Sequence, residues 1–360
     1  MQRSNRFFRS VLVLCVAAST AIAAERGSTS KNDTVTARIE TTLSTASRQI
    51  RQFALDGDIG TYFNSVQNPG SADHFTLIFD TPVVVNSIAV ATGRPDGGDL
   101  LEAGKLEMST DGKTFQDRAN FSGGMAYAIP GPQPILAVRI KPTEQLTHPL
   151  AIRELSINSE PSVAVFKYPV EFIVDVADAP EIKEWAEKVA RECEKSYPMI
   201  NEELKSEGYK PPTTVTMALK NSYRGVAAAG GGRIVGSVKY FKDHPGDIGA
   251  MVHETSHIVQ RYRSRNNPGW LVEGVSDYVR FFKYEPGKLG RIDPNRAHYN
   301  GSYRTTAAFL AYLTSKYDKQ FVLKLNALMR EGKYSKETFK QLTGKTEKEL
   351  DEEWRATLQE

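Results

Sequence analysis

The hydrophobic rhythm of this chain changes once, at Ser159-Glu160-Pro161-Ser162, and that change constrains the fold more than any other feature. Before it, apolar residues come in short β-branched and aromatic runs, among them Phe75-Thr76-Leu77-Ile78-Phe79, Val83 to Val90 and Leu136-Ala137-Val138-Arg139-Ile140. Turn signals separate the runs: Asn68-Pro69-Gly70, Pro95-Asp96-Gly97-Gly98, Asp111-Gly112 and Pro130-Gly131-Pro132. Short strands at this spacing predict an all-β sandwich over residues 33–158. After the change come strands at Val170–Val174, Thr214–Ala218 and Arg233–Tyr240, with a long helical stretch from Ile182 between the first two. Helical spacing then dominates, at about Asp247–Arg263, Leu271–Phe282, Arg304–Lys316 and Phe321–Arg330, with two short helices to follow. This order predicts an α+β domain over residues 165–357, its sheet first and its helices after. A length of 360 residues suits two domains.

The first residues carry Arg3, Arg6 and Arg9, then the apolar run Val11 to Ala18, then Ala21-Ile22-Ala23. A basic start, a short apolar middle and small residues at a cleavage position predict a secretory signal peptide over residues 1–23. The run is shorter than the roughly 20 residues of a spanning helix, so no membrane association is expected after cleavage, and export ends in a periplasm or outside the cell. The whole chain holds 46 basic and 43 acidic residues. All three arginines of the leader leave with it, so the mature chain is balanced and gives no reason to expect nucleic acid as a partner. Of the two cysteines, Cys15 lies in the leader. Cys193 is thus without a partner for a disulfide and falls on the buried face of a predicted helix.

Chemistry concentrates at His253-Glu254-Thr255-Ser256-His257 and, sixteen residues past the second histidine, Glu273-Gly274-Val275-Ser276-Asp277. Two histidines four apart share one helix face and can ligate one metal ion, with Glu254 placed to take a proton from a water on that ion. Glu273 supplies a third ligand and leaves the fourth position of a zinc ion open. Asp277, one turn beyond, is placed to accept from a ligand imidazole and fix its tautomer. Trp270, Leu271, Val272, Val275, Tyr278 and Val279 give the second helix apolar surroundings rather than those of a solvated face.

These residues resemble the gluzincin metallopeptidases, the thermolysin-like clan, with a shorter interval between ligand helices. A metzincin would need Gly at 260 and His at 263, where this chain has Gln260 and Arg263. More closely, the chain is similar to the basic secretory protein family of plants and bacteria. The resembling residues are Tyr223-Arg224-Gly225-Val226-Ala227, Arg233 to Tyr240, His253 to Gln260, Trp270 to Arg280, and Tyr303 with Ala307-Ala308-Phe309-Leu310. The resemblance implies a zincin-like fold and a zinc-dependent peptidase in which His253, His257 and Glu273 hold the ion, Glu254 is the general base and Asp277 holds His253. A donor for the oxyanion is also needed; His298, Tyr299 and Tyr303 are candidates, and family position favours Tyr303. The clan's substrate-pairing edge strand would correspond to Arg233–Tyr240, whose alternation equally fits an interior strand. An aminopeptidase would share Trp-Leu-x-Glu-Gly, but no Gly-Ala-Met-Glu-Asn-like segment is present; a non-catalytic carbohydrate- or surface-binding protein would keep the fold without turnover.

In the first domain, Phe53 to Phe63, Leu106 to Phe115 and Ile152-Arg153-Glu154-Leu155 resemble a discoidin-type, galactose-binding-like jelly roll. That resemblance implies a structural calcium at Asp56, Asp58, Thr61 and Glu154, side chains with the oxygen donors calcium takes. Asp56-Gly57-Asp58 equally fits a plain turn. It also implies a glycan or cell-surface polymer as partner, although Tyr62-Phe63 stands where that family has Trp, and a purely architectural domain fits the sequence equally.

Overall fold

The computed structural model describes residues 34–359 except 265 and 302, and the expected signal peptide and Cys15 lie outside the described residues. The chain forms two compact units that meet at Pro169 and Val170. That boundary falls later than the change of rhythm. Val163 bridges to Val35, and the Phe166 amide donates to Leu55, so the segment after Pro161 still belongs to the β unit.

The first unit contains β1 (Ala37–Thr41), β2 (Phe63–Asn64), β3 (Phe75–Thr92), β4 (Gly104–Ser109), β5 (Gln116–Asn120), β6 (Met125–Ala128), β7 (Ile135–Pro142) and β8 (Ala151–Glu160). It is a sandwich whose two sheets share β3. The first part of that strand pairs antiparallel with β1 and β7, and the second part with β6 and β8. The buried side chains of β3 mark the crossover. They fall at Phe75, Leu77, Phe79, Val83 and Val85, then change phase to Ile88 and Val90. The change coincides with an irregularity of register between Val85 and Ser87, the one extra residue that returns apolar side chains to the interior. They meet Leu106, Met108, Val138, Ile140, Ile152 and Leu155 from the other strands.

The second unit is α+β. Strands β9 (Glu171–Asp175), β10 (Thr214–Lys220), β11 (Ala227–Gly230) and β12 (Arg233–Ser237) lie in the order β11-β12-β10-β9, parallel except for the antiparallel edge β11. Strand β12 is therefore interior, and the edge is β11, a strand of three alanines and a glycine that carries no β-branched signal. The expected strand also ends early: after Ser237 the chain turns into α2 (Val238–Asp243). Ser237 Oγ accepts the Tyr240 amide at 3.2 Å, capping the helix, and Phe241 packs on Trp185. The alternation of Val238 and Tyr240 belongs to this turn rather than to a strand.

The long helix α1 (Lys183–Glu203) lies on the sheet and buries Ala186, Val189, Ala190, Cys193, Tyr197 and Ile200, so Cys193 is free and buried as expected. The remaining helices are α3 (Ile248–Gln260), α4 (Gly269–Tyr278), α5 (Tyr303–Lys316), α6 (Phe321–Arg330), α7 (Thr338–Thr343) and α8 (Glu347–Thr357). Between α4 and the following loop the helix widens to a π turn, Val279–Tyr284. Arg280 in that turn reaches Asp247 at 2.5 Å and Glu285 at 2.6 Å, tying the start of α3 to the end of α4. Among the described residues no helix is long and apolar enough to cross a membrane.

Candidate metal centre

Helix α3 presents both histidines toward α4. Its other face is apolar, with Met251, Val252 and Val259 fully buried, so the polar side cannot turn away without exposing them. The C-terminal end of α3 is held by Arg330 of α6, whose guanidinium donates to the carbonyls of Val259 and Gln260 at 3.0 and 3.2 Å. Helix α4 approaches α5 closely because residue 274 is glycine; a Cβ there would collide with Cγ2 of Thr306. Glu273, its neighbour on α4, faces the two histidines.

His253 Nε2, His257 Nε2 and Glu273 Oε2 stand 3.1 Å from one another along all three edges of a triangle. Among the described residues this is the one cluster of three or more such side chains whose ligand atoms all lie within 4.8 Å. The opposite nitrogen of each ring is engaged. His253 Nδ1 lies 2.7 Å from Asp277 Oδ1, and His257 Nδ1 lies 2.8 Å from Gln260 Oε1. A carboxylate and an amide oxygen only accept, so both Nδ1 atoms carry hydrogen and the two Nε2 atoms are left to face each other and a carboxylate oxygen. Three converging acceptor atoms need a positive charge between them, a proton or a metal ion. Donor atoms roughly 2.1 Å from a tetrahedral ion stand about 3.4 Å apart, so the triangle fits a zinc ion with one open position.

Without a metal ion, a proton on His253 supplies that charge. Burial disfavours a charged His253, but Asp277 and Glu273 outweigh it and hold the imidazole up at about 9. Glu273 resists burial through the two imidazoles and sits at about 2. Glu254 is mostly buried, and desolvation first of all raises its carboxyl above the ordinary range against the pull of the two histidines. The edge strand β11 packs against α3, and the Ala229 backbone pulls the same carboxyl down.

Of the three oxyanion candidates, two are occupied elsewhere. The Tyr299 amide donates to Asp351 at 2.7 Å and its ring packs edge-on against Trp270; His298 Nδ1 lies 3.4 Å from the same aspartate. Tyr303 opens α5 with its side chain exposed, one turn before the Thr306 that packs on Gly274. Sequence reasoning passed over Gln260 and Ala229. The first had a usable signal, a polar residue three positions past His257 on the same helix face; the second acts through its backbone and has none.

In the β unit, the Asp56 carboxylate accepts the Asp58 amide at 2.9 Å and the Thr61 hydroxyl at 2.8 and 2.9 Å, while Asp58 Oδ1 accepts the Gly60 amide. Gly57 between them has φ +80°, a conformation suited to glycine. Glu154 comes from β8, accepts the Gly57 amide, and keeps Oε2 buried without a hydrogen-bond partner. Burial first, then Asp56 and Asp58, push its carboxyl up to about 8. The three carboxylates do not gather as tightly as the ligands at the histidine pair. An orphaned buried oxygen beside two further acids is nevertheless the chemistry a calcium ion satisfies.

An α+β unit with a His–His–Glu cluster and a buried glutamate between the histidines is the frame of a hydrolase, here a peptidase. Residues 158–354 match the BSP family, peptidase of plants and bacteria, over more than half of the chain, and the chain belongs to that family. No curated protein matches it. The β unit is similar to CBM32-1 from a family 31 glycoside hydrolase of Clostridium perfringens, at 16% identity and TM-score 0.30, over 34% of this chain and 92% of that one. It is also similar to the family 32 CBM of Clostridium perfringens NanJ in complex with galactose, at 15% identity and TM-score 0.29, over 34% and 92%.

Proposed function

We propose that this peptidase is an exported zinc metalloenzyme that cuts within polypeptides, with His253, His257 and Glu273 as metal ligands and Glu254 as general base. The observation that carries it is the 3.1 Å triangle of acceptor atoms beside a buried carboxyl. A zinc ion in that triangle would supply Lewis-acid polarisation of the scissile carbonyl and of the attacking water. Glu254 accepts the proton as water oxygen bonds to the carbonyl carbon, and delivers it to the amine nitrogen as the C–N bond breaks. A raised carboxyl suits both halves of that task, since it gives the proton back. Asp277 holds the His253 ring, and Tyr303, exposed and free of a hydrogen-bond partner among the described residues, is the proposed donor to the carbonyl oxygen. An extended substrate would add to the open side of β11, by main-chain hydrogen bonds that favour no particular sequence.

The orphaned Glu154 oxygen supports a structural calcium held by Asp56, Thr61 and Glu154, with Asp58 shaping the loop. The sandwich is proposed as an accessory module for glycan or cell-surface polymer, on the sequence motifs that resemble the discoidin type. The deciding experiment measures zinc content and cleavage of an unfolded protein by the wild type and by Glu254→Gln. Metal retained with turnover abolished is expected; full activity of the variant would sink the assignment. Cleavage of N-terminally blocked peptides separates an endopeptidase from an aminopeptidase.

A further inference from the structure

Gln260 is the last residue of α3, and its amide, 1% exposed, spans two parts of the metal centre. Nε2 donates to the Val272 carbonyl at 2.9 Å, and Oε1 faces His257 Nδ1 at 2.8 Å. A backbone carbonyl can only accept, so Val272 decides which end of the amide is which: the NH2 must face it, and the oxygen must face the imidazole. That oxygen needs a donor. His257 therefore carries its hydrogen on Nδ1 and turns a bare Nε2 toward His253 and Glu273. Ser276 Oγ lies 3.2 Å from the same Nδ1, a longer contact than that of Gln260.

We propose that Gln260 is a positioning residue that couples the two ligand helices: it takes its orientation from the backbone immediately before Glu273 and imposes the tautomer and ring plane of His257 to match. This rests on the metallopeptidase reading of the same site. The arrangement is asymmetric for a physical reason. His253 leans on a carboxylate, Asp277, whose Oδ1 lies 2.7 Å from Nδ1. The partner of His257 must accept on one side and donate on the other, and the amide of Gln260 does both from two separate atoms. A carboxylate at 260 would keep the acceptor and lose the donor, leaving the Val272 carbonyl unsatisfied.

The two halves separate by substitution in the full chain. Q260M keeps the length and removes both hydrogen bonds; Q260E keeps the acceptor for His257 alone. Zinc affinity, measured by chelator competition, is expected to fall about 10- to 100-fold in Q260M and to stay within about threefold of wild type in Q260E, although both melt earlier than wild type. In the metal-free chain, 15N NMR is expected to show the Nδ1–H tautomer of His257 in wild type and Q260E and its loss in Q260M. A merely structural glutamine would lower affinity and stability together in both variants, and that result overturns the proposal, as does Q260M binding zinc like wild type. Should Q260M fail to fold, retention of affinity and of the Nδ1–H tautomer in Q260E upholds the proposal and their loss overturns it. A wild-type chain that takes up no zinc removes the metallopeptidase reading and this inference with it.

Discussion

His253 Nδ1 and Asp277 Oδ1 stand 2.7 Å apart, both buried, joining the middle of α3 to the last turn of α4. The contact sets the imidazole with its Nε2 toward Glu273 and places a carboxylate behind a proposed metal ligand. Asp277→Asn keeps the shape and removes the charge. Zinc affinity should fall about tenfold or more, read by competition with a chelator, while the melting temperature of the metal-free protein changes little by comparison.

Without metal, the proton that Asp277 and Glu273 hold on His253 leaves only near pH 9. Its folded value lies above the ordinary histidine range, so this proton stabilises the metal-free unit below about pH 6.5 and the stabilisation is lost as pH rises through about 9. A metal ion must displace it. Apparent zinc affinity should therefore rise with pH by about tenfold per unit up to that value, with proton release seen calorimetrically in buffers of different ionisation enthalpy. An affinity independent of pH from 6 to 8 would contradict the assignment.

Gly274 allows α4 and α5 to touch, since any Cβ would strike Thr306. Gly274→Ala should destabilise the α+β unit by about 1–3 kcal/mol in denaturant titration, and weaken zinc binding through Glu273 next to it. Thr306→Ser removes the methyl group in the way and keeps the 2.6 Å hydroxyl bond to the Tyr299 carbonyl. The double variant should recover part of the loss, which a simple helix-propensity effect of alanine would not allow.

Glu154 gives the β unit its own pH dependence. With calcium removed, its folded value of about 8 exceeds the unfolded one near 4.3, so stability present at low pH drains away as pH rises between them, by on the order of a few kcal/mol. Added calcium should reverse the loss at pH 8 and do nothing at pH 4. Glu154→Gln should flatten the profile and abolish the calcium response; thermal melts with and without EGTA decide it.

The class and order of the two domains were legible because they depend on local period, two for the strands of the sandwich and 3.6 for α1 and α3 to α6, and a period survives in one dimension. The histidine pair was legible for the same reason, since one helix alone brings His253 and His257 together. So was the Glu273–Asp277 pair on α4. The sequence missed β11, because three alanines and a glycine hold no strand signal and earn their place only by pairing with β12. It extended β12 through Tyr240, because apolar alternation over so few residues cannot be told from a capped helical turn until Phe241 finds Trp185.

What the sequence determined by itself was which side chains could act: a proposed ligand set, a proposed base and a carboxylate behind them, each carried on one short periodic segment. Tertiary structure alone decided how they meet. The packing of α4 on α5 depends on a missing Cβ at Gly274, the hold of α6 on the end of α3 on Arg330, and the link from α3 to α4 on an amide at Gln260 that bonds a backbone carbonyl twelve residues away. Contacts of that kind join segments whose separation along the chain carries no period. They exist only once the chain has folded around them.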